Sequence, residues 1–509
     1  MKNYRSILLT IAVLLCTMVS ALAVVWLLWN TFSDIGTDGT VYALMGQSIA
    51  QGEGLSVYGQ PHTVFSPLLP ILIAPMYWIF SSAERAAFAA NIIVVLLTLP
   101  LFFTLLKKIH SSKVAVIGTL VYAASGGYIF SFLTPTPQAV VIPLSIVLFL
   151  LLYTFSGWKS ALAIGAVCAL MYLARPEYFF IPIPVALYFL FTRRKRLILF
   201  MLIGFFALAM PYLVFLHQNL GYWTFSGRTN AIGLHIIGKF DKDSAGVQQT
   251  NFVVEGTEEG EAQGLARSIA QHPVSIAKKL FKGLRDSERN TTRVFGFLGI
   301  GLFAIGIRQY VLQRRWRALG AALVIVSPIA AIALGQGGSG NYVFHFFYLI
   351  ILFAAIGLYH VLEDLKAQKF TVLAVAIVAL YLFIPVPQSY LFNPRESLEK
   401  EHKIMGTWMR ENLPDIRDQY VLSRKPETSF YAGARMYPLP KGESLDALLD
   451  LMRSQNIPYL VLNERYVIKE YPHLAFMLEP LFTHPDLEIV YRMQYFDYEV
   501  VLYRFVFSS

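Results

Sequence analysis

Residues 37–78 read TDGTVYALMGQSIAQGEGLSVYGQPHTVFSPLLPILIAPMYW, and the placement of this stretch decides the fold. It follows a first long apolar run and opens with Asp38 at the mouth of a short amphipathic segment, whose Tyr42, Met45 and Ile49 share one helical face. Polar, Gly-rich turns come next, and Ser66-Pro67 begins a further apolar stretch that ends near Phe80. That stretch holds about 14 residues, short for a bilayer crossing, so it reads as an interfacial or re-entrant helix.

The rest of the chain supplies the membrane. Of 509 residues 56% are apolar and 15% charged, far from the balance of a soluble globule, and the composition is that of a multispanning protein. The net charge of +10 comes from bases clustered in short breaks between apolar runs. That is how cytoplasmic loops face anionic lipid, and it argues against nucleic acid as a partner. Cys16 and Cys168 both lie inside apolar runs, so the hydrophilic parts have no disulfide framework. Lys2 and Arg5 precede an apolar run that continues through Trp29, which reads as a spanning helix and not as a cleaved leader.

Apolar runs begin near residues 7, 86, 114, 139, 160, 178, 197, 294, 318, 343 and 370, predicting about eleven transmembrane helices. With residues 67–80 not crossing, the breaks at 107–113, Lys159, 193–196, 308–317 and 366–369 all fall on the cytoplasmic side with the N-terminus. Three hydrophilic regions then lie outside: 31–66, 218–292 and everything after about residue 387. In the second, Pro273 starts a helix with Ile276, Leu280, Phe281 and Leu284 on one side, an amphipathic surface helix or, as the favoured reading, a simple return to the membrane.

Beyond Pro385 and Pro387 the composition turns soluble. A helix over 395–411, a strand at Tyr420–Ser423 and a helix with Leu445, Leu448, Leu449 and Met452 on one face lead to a buried strand at Tyr459–Leu462. Strands at 487–491 and 498–505 form a hairpin. The expected architecture is an α-helical multispanning membrane domain over 1–392, with interfacial helices, and a small extracytoplasmic α/β domain over 393–509.

Asp38 has a plain account as a helix N-cap accepting a backbone N–H. It also lies between a spanning helix and a re-entrant one, at headgroup level, where ionisable side chains tend to be functional. Arg175-Pro176-Glu177 likewise admits two accounts. Pro176 starts a helix whose dipole Glu177 complements while Arg175 snorkels, or the pair serves a site beside Asp38. Arg228 offers a guanidinium fork for phosphate or is a solvated loop charge, and His62 is structural or an accessory of the loop acid.

Several stretches together resemble the C-class membrane glycosyltransferases, in particular the protein mannosyltransferase and aminoarabinose transferase type. They are Asp38-Gly39-Thr40-Val41-Tyr42, Ala50-Gln51-Gly52-Glu53-Gly54-Leu55, Tyr58-Gly59-Gln60-Pro61 and Ser66-Pro67-Leu68-Leu69-Pro70. Ala174-Arg175-Pro176-Glu177, the turn from Gly221 to Arg228 and the tail with Trp408 and Ser429-Phe430-Tyr431-Ala432-Gly433 extend the likeness over nearly the whole chain. The resemblance implies a hexosyl- or pentosyltransferase that takes its sugar from a polyprenyl phosphate. It places Asp38 at the catalytic position, with Tyr42, His62, Arg175, Glu177 and Arg228 around the substrates.

Two departures matter. Relatives often carry Asp or Glu where this chain has Thr136-Pro137-Gln138, and an Arg-Tyr pair where Asn341-Tyr342 stands with His345 close by. The first leaves a divalent metal unsupported, and no cofactor is implied beyond the lipid-linked donor. The acceptor would be a glycan, a lipid or a protein. No Walker loop, Cys/His metal spacing, Gly-x-Ser-x-Gly elbow or dinucleotide fingerprint is present. Two other readings are a transporter or flippase of lipid-linked sugars, which would call for inverted repeats and broken helices, and a membrane-anchored binding protein whose tail does the recognising.

Overall fold

The structure is a computed structural model that describes residues 35–125, 128, 131–227, 273–330, 332, 346–366, 370–383 and 399–507. The first apolar run, Arg228, Asn341-Tyr342 and His345 lie outside the described residues.

Among the described residues the helical part begins with α1 (Gly36–Ala50), a hairpin of β1 (Ser56–Val57) and β2 (Gln60–Pro61), and α2 (Leu68–Phe80). Then come α3 (Ala83–Ile109), α4 (Ser112–Ala124), α5 (Pro137–Thr154), α6 (Trp158–Ala174), α7 (Pro182–Phe191) and α8 (Leu197–Leu220). After the undescribed stretch follow α9 (Pro273–Leu312), α10 (Trp316–Val326), α11 (Phe347–Asp364) and α12 (Thr371–Phe383). Among the described residues five helices are long and apolar enough to cross a membrane: α3, α5, α8, α11 and the 294–312 half of α9. Their starts follow the apolar runs closely, while a total of eleven crossings would also need shorter helices and the run that begins near residue 7. The α9 helix kinks at Gly296, where φ is 53°, so its polar first half and its apolar second half part company there.

Two helix pairs, α6 with α8 and α9 with α11, meet backbone to backbone. A Cβ on Gly165 would lie 1.9 Å from the Met201 carbonyl oxygen, and one on Gly204 would lie 2.3 Å from that of Leu162, so α6 and α8 pack at the closest range helices can reach.

The basic breaks gather at one end. The Ile109 carbonyl accepts hydrogen bonds from the Tyr310 hydroxyl and the Arg315 guanidinium, His110 Nε2 lies 3.4 Å from His360 Nε2, and the Tyr188 hydroxyl reaches the carbonyls of Leu152 and Arg317. The other end of α3, about 40 Å away at 1.5 Å per residue, carries Glu84, which meets Lys403 and Tyr431 of the C-terminal part.

That C-terminal part packs α13 (Glu401–Asn412), α14 (Pro426–Ala432), α15 (Leu445–Ser454) and α16 (Glu464–Glu470) around five strands. These are β3 (Tyr420–Ser423), β4 (Arg435–Pro438), β5 (Tyr459–Asn463), β6 (Leu487–Tyr495) and β7 (Tyr498–Phe505), in the order β4-β3-β5-β7-β6. The first three run parallel and the last three antiparallel. Side chains alternate between two cores: Leu460 and Leu462 face one, Tyr459 and Val461 the other. The expected hairpin is present, with β6 running on to Tyr495. The α13 helix starts at Glu401, and residues 395–398 of the expected helix are outside the described residues.

Two local expectations are corrected. Asp38 is not the N-cap, because α1 begins at Gly36 after Ile35, which offers no side-chain cap, and Asp38 is the third helical residue. Nor is α1 amphipathic in effect. Thr40, Val41, Tyr42, Ala43, Met45 and Gly46 are all buried, since α2, α3 and α14 pack against it from different sides.

Candidate active site

The first turn of α1 is where the membrane bundle and the C-terminal sheet converge. Asp38 is exposed there, no described residue pairs with it, and its charge lies in the turn where a helix dipole favours an acid. The glycine after it permits a close neighbour. A Cβ on Gly39 would come within 3.2 Å of the Pro135 carbonyl oxygen, so the 131–136 loop closes over the turn. The Nδ2 of Asn91, buried on α3, anchors that loop by donating to the Ser131 carbonyl at 2.8 Å. Gln138, where relatives often carry an acid, is half-buried, and its Oε1 has no partner among the described residues.

Tyr42, one turn after Asp38, is buried and meets Phe65 edge-on at 5.0 Å, while His62, also buried, stacks on the same Phe65 at 5.4 Å. The segment that holds them continues to the next loop. The Gly227 amide donates to the Thr63 carbonyl at 3.3 Å, and a Cβ there would lie 2.6 Å from that oxygen, so only glycine fits. The Phe225 ring stacks on Phe179 at 5.3 Å, and its carbonyl accepts from the Tyr172 hydroxyl at 2.9 Å. Through Phe225 the chain thus joins Tyr42 and His62 to the end of α6, where Arg175 and Glu177 stand. Arg228 follows Gly227 directly and lies outside the described residues.

Arg175 does not snorkel. It is buried, its Nη2 and Nε both meet the Glu177 carboxylate, and Glu177 is itself largely buried. The cause is local: Arg175 is extended, Pro176 opens a single-turn helix (Pro176–Phe180), and the next residue's side chain folds back on the guanidinium. Guanidinium and carboxylate are bound to each other, which suits a rigid corner more than a loose cation.

What sequence reading missed is the partner of α1. Thr37 Oγ1 donates to Glu427 Oε1 at 2.8 Å and accepts from Lys425 Nζ at 2.9 Å. Both partners sit just past the carboxyl end of β3, on the strand-to-helix turn where Pro426 opens α14. Lys425 also pairs with Glu399 at 3.2 Å and lies 5.5 Å from the centre of the Tyr466 ring. Burial alone would lower the Lys425 ammonium, but Glu427 and Glu399 hold it above its ordinary range. Burial would raise Glu399, yet Lys425 and His402 keep it below the usual carboxylate value. Behind them His402 is fully enclosed, its Nδ1 2.9 Å from the Thr428 hydroxyl, and burial drives its pKa down to about 3. A second attachment lies on α3, where Glu84 Oε1 accepts from Lys403 Nζ at 2.6 Å and from the Tyr431 hydroxyl at 2.8 Å. The only clue to the first attachment was the Lys-Pro-Glu triplet, a helix start like Arg175-Pro176-Glu177.

Among the described residues no three His, Cys, Asp or Glu side chains converge as a metal site would require.

Residues 61–234 match the family model for dolichyl-phosphate-mannose-protein mannosyltransferases. Compared directly with curated protein sequences, the chain has no match. Among solved structures, ArnT from Cupriavidus metallidurans bound to undecaprenyl phosphate aligns over 96% of this chain and 97% of its own, with a TM-score of 0.60 and 10% identity. The apo state of the same protein gives a TM-score of 0.57 over the same shares, again at 10% identity. The oligosaccharyltransferase of Archaeoglobus fulgidus, in complex with Zn and sulfate, aligns over 89% of this chain and 68% of its own, with a TM-score of 0.58 and 16% identity. At such identities the structural likeness carries the fold.

Proposed function

We propose, from the premise that a chain with the C-class fold and a mannosyltransferase family match is a multi-pass membrane glycosyltransferase, that it moves a sugar from a polyprenyl phosphate to an acceptor hydroxyl or amine. The acceptor oxygen or nitrogen forms the new bond to the anomeric carbon as the bond to the phosphate oxygen breaks. The acceptor's proton passes to Asp38, and polyprenyl phosphate leaves. A direct displacement of this kind inverts the anomeric centre.

The observation that carries this reading is the position of Asp38. It is an exposed carboxylate on a helix whose other residues are buried or half-buried, one turn from Tyr42 and at the end of the bundle where the C-terminal part docks. Tyr42 packs with Phe65 and His62, and the contact from Thr63 to Gly227 leads on through Phe225 toward the Arg175–Glu177 corner. Arg228 would be the cation for the leaving phosphate, a positive charge to offset the negative charge that grows there. Arg175, paired with Glu177, shapes the corner. The lipid-linked donor is supported by the ArnT neighbour, which binds undecaprenyl phosphate. The basic breaks gathered at the far end favour a cytoplasmic N-terminus and an extracytoplasmic domain over 393–509. In a bacterial envelope that domain faces outward from the inner membrane. Membranes carrying the wild type or Asp38→Asn are to be incubated with a panel of labelled polyprenyl-phosphate sugars. The variant should insert normally and lose transfer, and unchanged transfer would remove Asp38 from the mechanism.

A further inference from the structure

We infer that Lys425 and Glu427 are positioning residues for Asp38, acting through Thr37; the inference rests on the reading of Asp38 given above.

The first turn of a helix is its weakest part, because its N–H groups have no partners within the helix. In α1 the usual remedy is missing, since Ile35 supplies no side-chain cap. The turn is held from outside. The Thr37 hydroxyl has one proton to give and lone pairs to receive, and it uses both, toward Glu427 Oε1 and from Lys425 Nζ. A β-branched side chain whose hydroxyl is held by two partners has its χ1 fixed, and with it the backbone it springs from. The next residue is Asp38.

The gripping side is rigid. Lys425 is extended and Pro426 is locked as the first residue of α14. Glu427 is 1% exposed, so its carboxylate has no freedom to follow solvent. Glu399 bonds Lys425, and Arg465 reaches Glu399 at 3.7 Å and Glu401 at 3.3 Å. Buried ionic clusters of this kind add little net stability compared with apolar packing, and their best-attested use is to set a register. Here the register is that of the C-terminal sheet against the turn bearing the carboxylate. The Glu84 attachment, made by Lys403 and Tyr431, docks the same domain without touching Thr37, so docking and positioning are separable.

The test uses the full chain in lipid nanodiscs and the panel sugar that the wild type transfers. Thr37→Val removes the hydroxyl at constant shape. It should lower kcat by roughly 10- to 100-fold, the scale of an ångström-level misplacement, with KM for the donor changed less than about threefold. Thr37→Ser should restore most of the rate, and Lys425→Met should reproduce the Val defect. Glu84→Gln, which loosens docking alone, should lower thermal stability and leave kcat in place. Carbodiimide labelling of Asp38, read by mass spectrometry, should change in rate for Thr37→Val and not for Glu84→Gln. Wild-type kcat in Thr37→Val while Asp38→Asn is dead would overturn the positioning role and leave the function standing. An equal kcat loss in Glu84→Gln would overturn it too, by showing that docking alone matters. Full transfer by Asp38→Asn would remove both.

Discussion

The Thr37 hydroxyl and the Glu427 carboxylate share a 2.8 Å hydrogen bond across 390 positions of sequence. It ties the helix bearing Asp38 to the carboxyl end of a strand in the C-terminal sheet. The chain uses a cation-Pro-Glu triplet twice, and the tertiary setting gives each a different task. In Arg175-Pro176-Glu177 the cation and acid close on each other, whereas in Lys425-Pro426-Glu427 they close on Thr37.

Breaking the first triplet should be costly. Arg175→Met leaves the largely buried Glu177 carboxylate without its guanidinium, and loss of one partner from a buried pair costs about 3–5 kcal/mol. The double variant Arg175→Met/Glu177→Gln should recover most of that, because no unpaired charge remains. Thermal unfolding of both in detergent checks the order.

The α6–α8 contact tolerates no side chain. Gly165→Leu must push the two backbones apart, for a loss of about 1–3 kcal/mol or more. Gly301→Leu, where a Cβ meets nothing within 4 Å, is the matched control and should behave as wild type. The two melting temperatures should separate clearly.

The C-terminal sheet should weaken in mild acid. Burial holds His402 neutral with a pKa of about 3, against an ordinary 6.5 in the unfolded chain. Between those values the unfolded state binds the extra proton, so the contribution is complete above about 6.5 and falls as pH drops toward 3. Glu399, held low despite burial by Lys425 and His402, acts in the same direction in its own lower window. Glu401 opposes them, since burial raises it against the pull of Arg465. Melting of the full chain followed from pH 7 to 5 should show the loss, and His402→Phe should flatten that part of the profile.

The loop before Arg228 should need its glycine. Gly227→Ala places a methyl 2.6 Å from the Thr63 carbonyl oxygen and must displace one of the two loops. Insertion should be unaffected, and transfer should drop severalfold if the loops frame the site. The rate of sugar transfer by purified membranes measures it.

The spans, the short helix at 68–80, the change to a soluble composition and the main strands of the tail were legible in the chain. Each is written in local terms, as an apolar run of a given length or an alternation with a period of two, and local terms need no partner to be read. The family likeness was legible for the same reason, since its motifs are short and contiguous. Tertiary structure alone decided that Asp38 follows an uncapped helix start, that α1 is buried on most sides, and that Thr37 is the point held by Lys425 and Glu427. Those facts depend on segments hundreds of residues apart meeting in space. A residue's pattern of neighbours along the chain carries no record of which distant side chain will take its hydrogen bond.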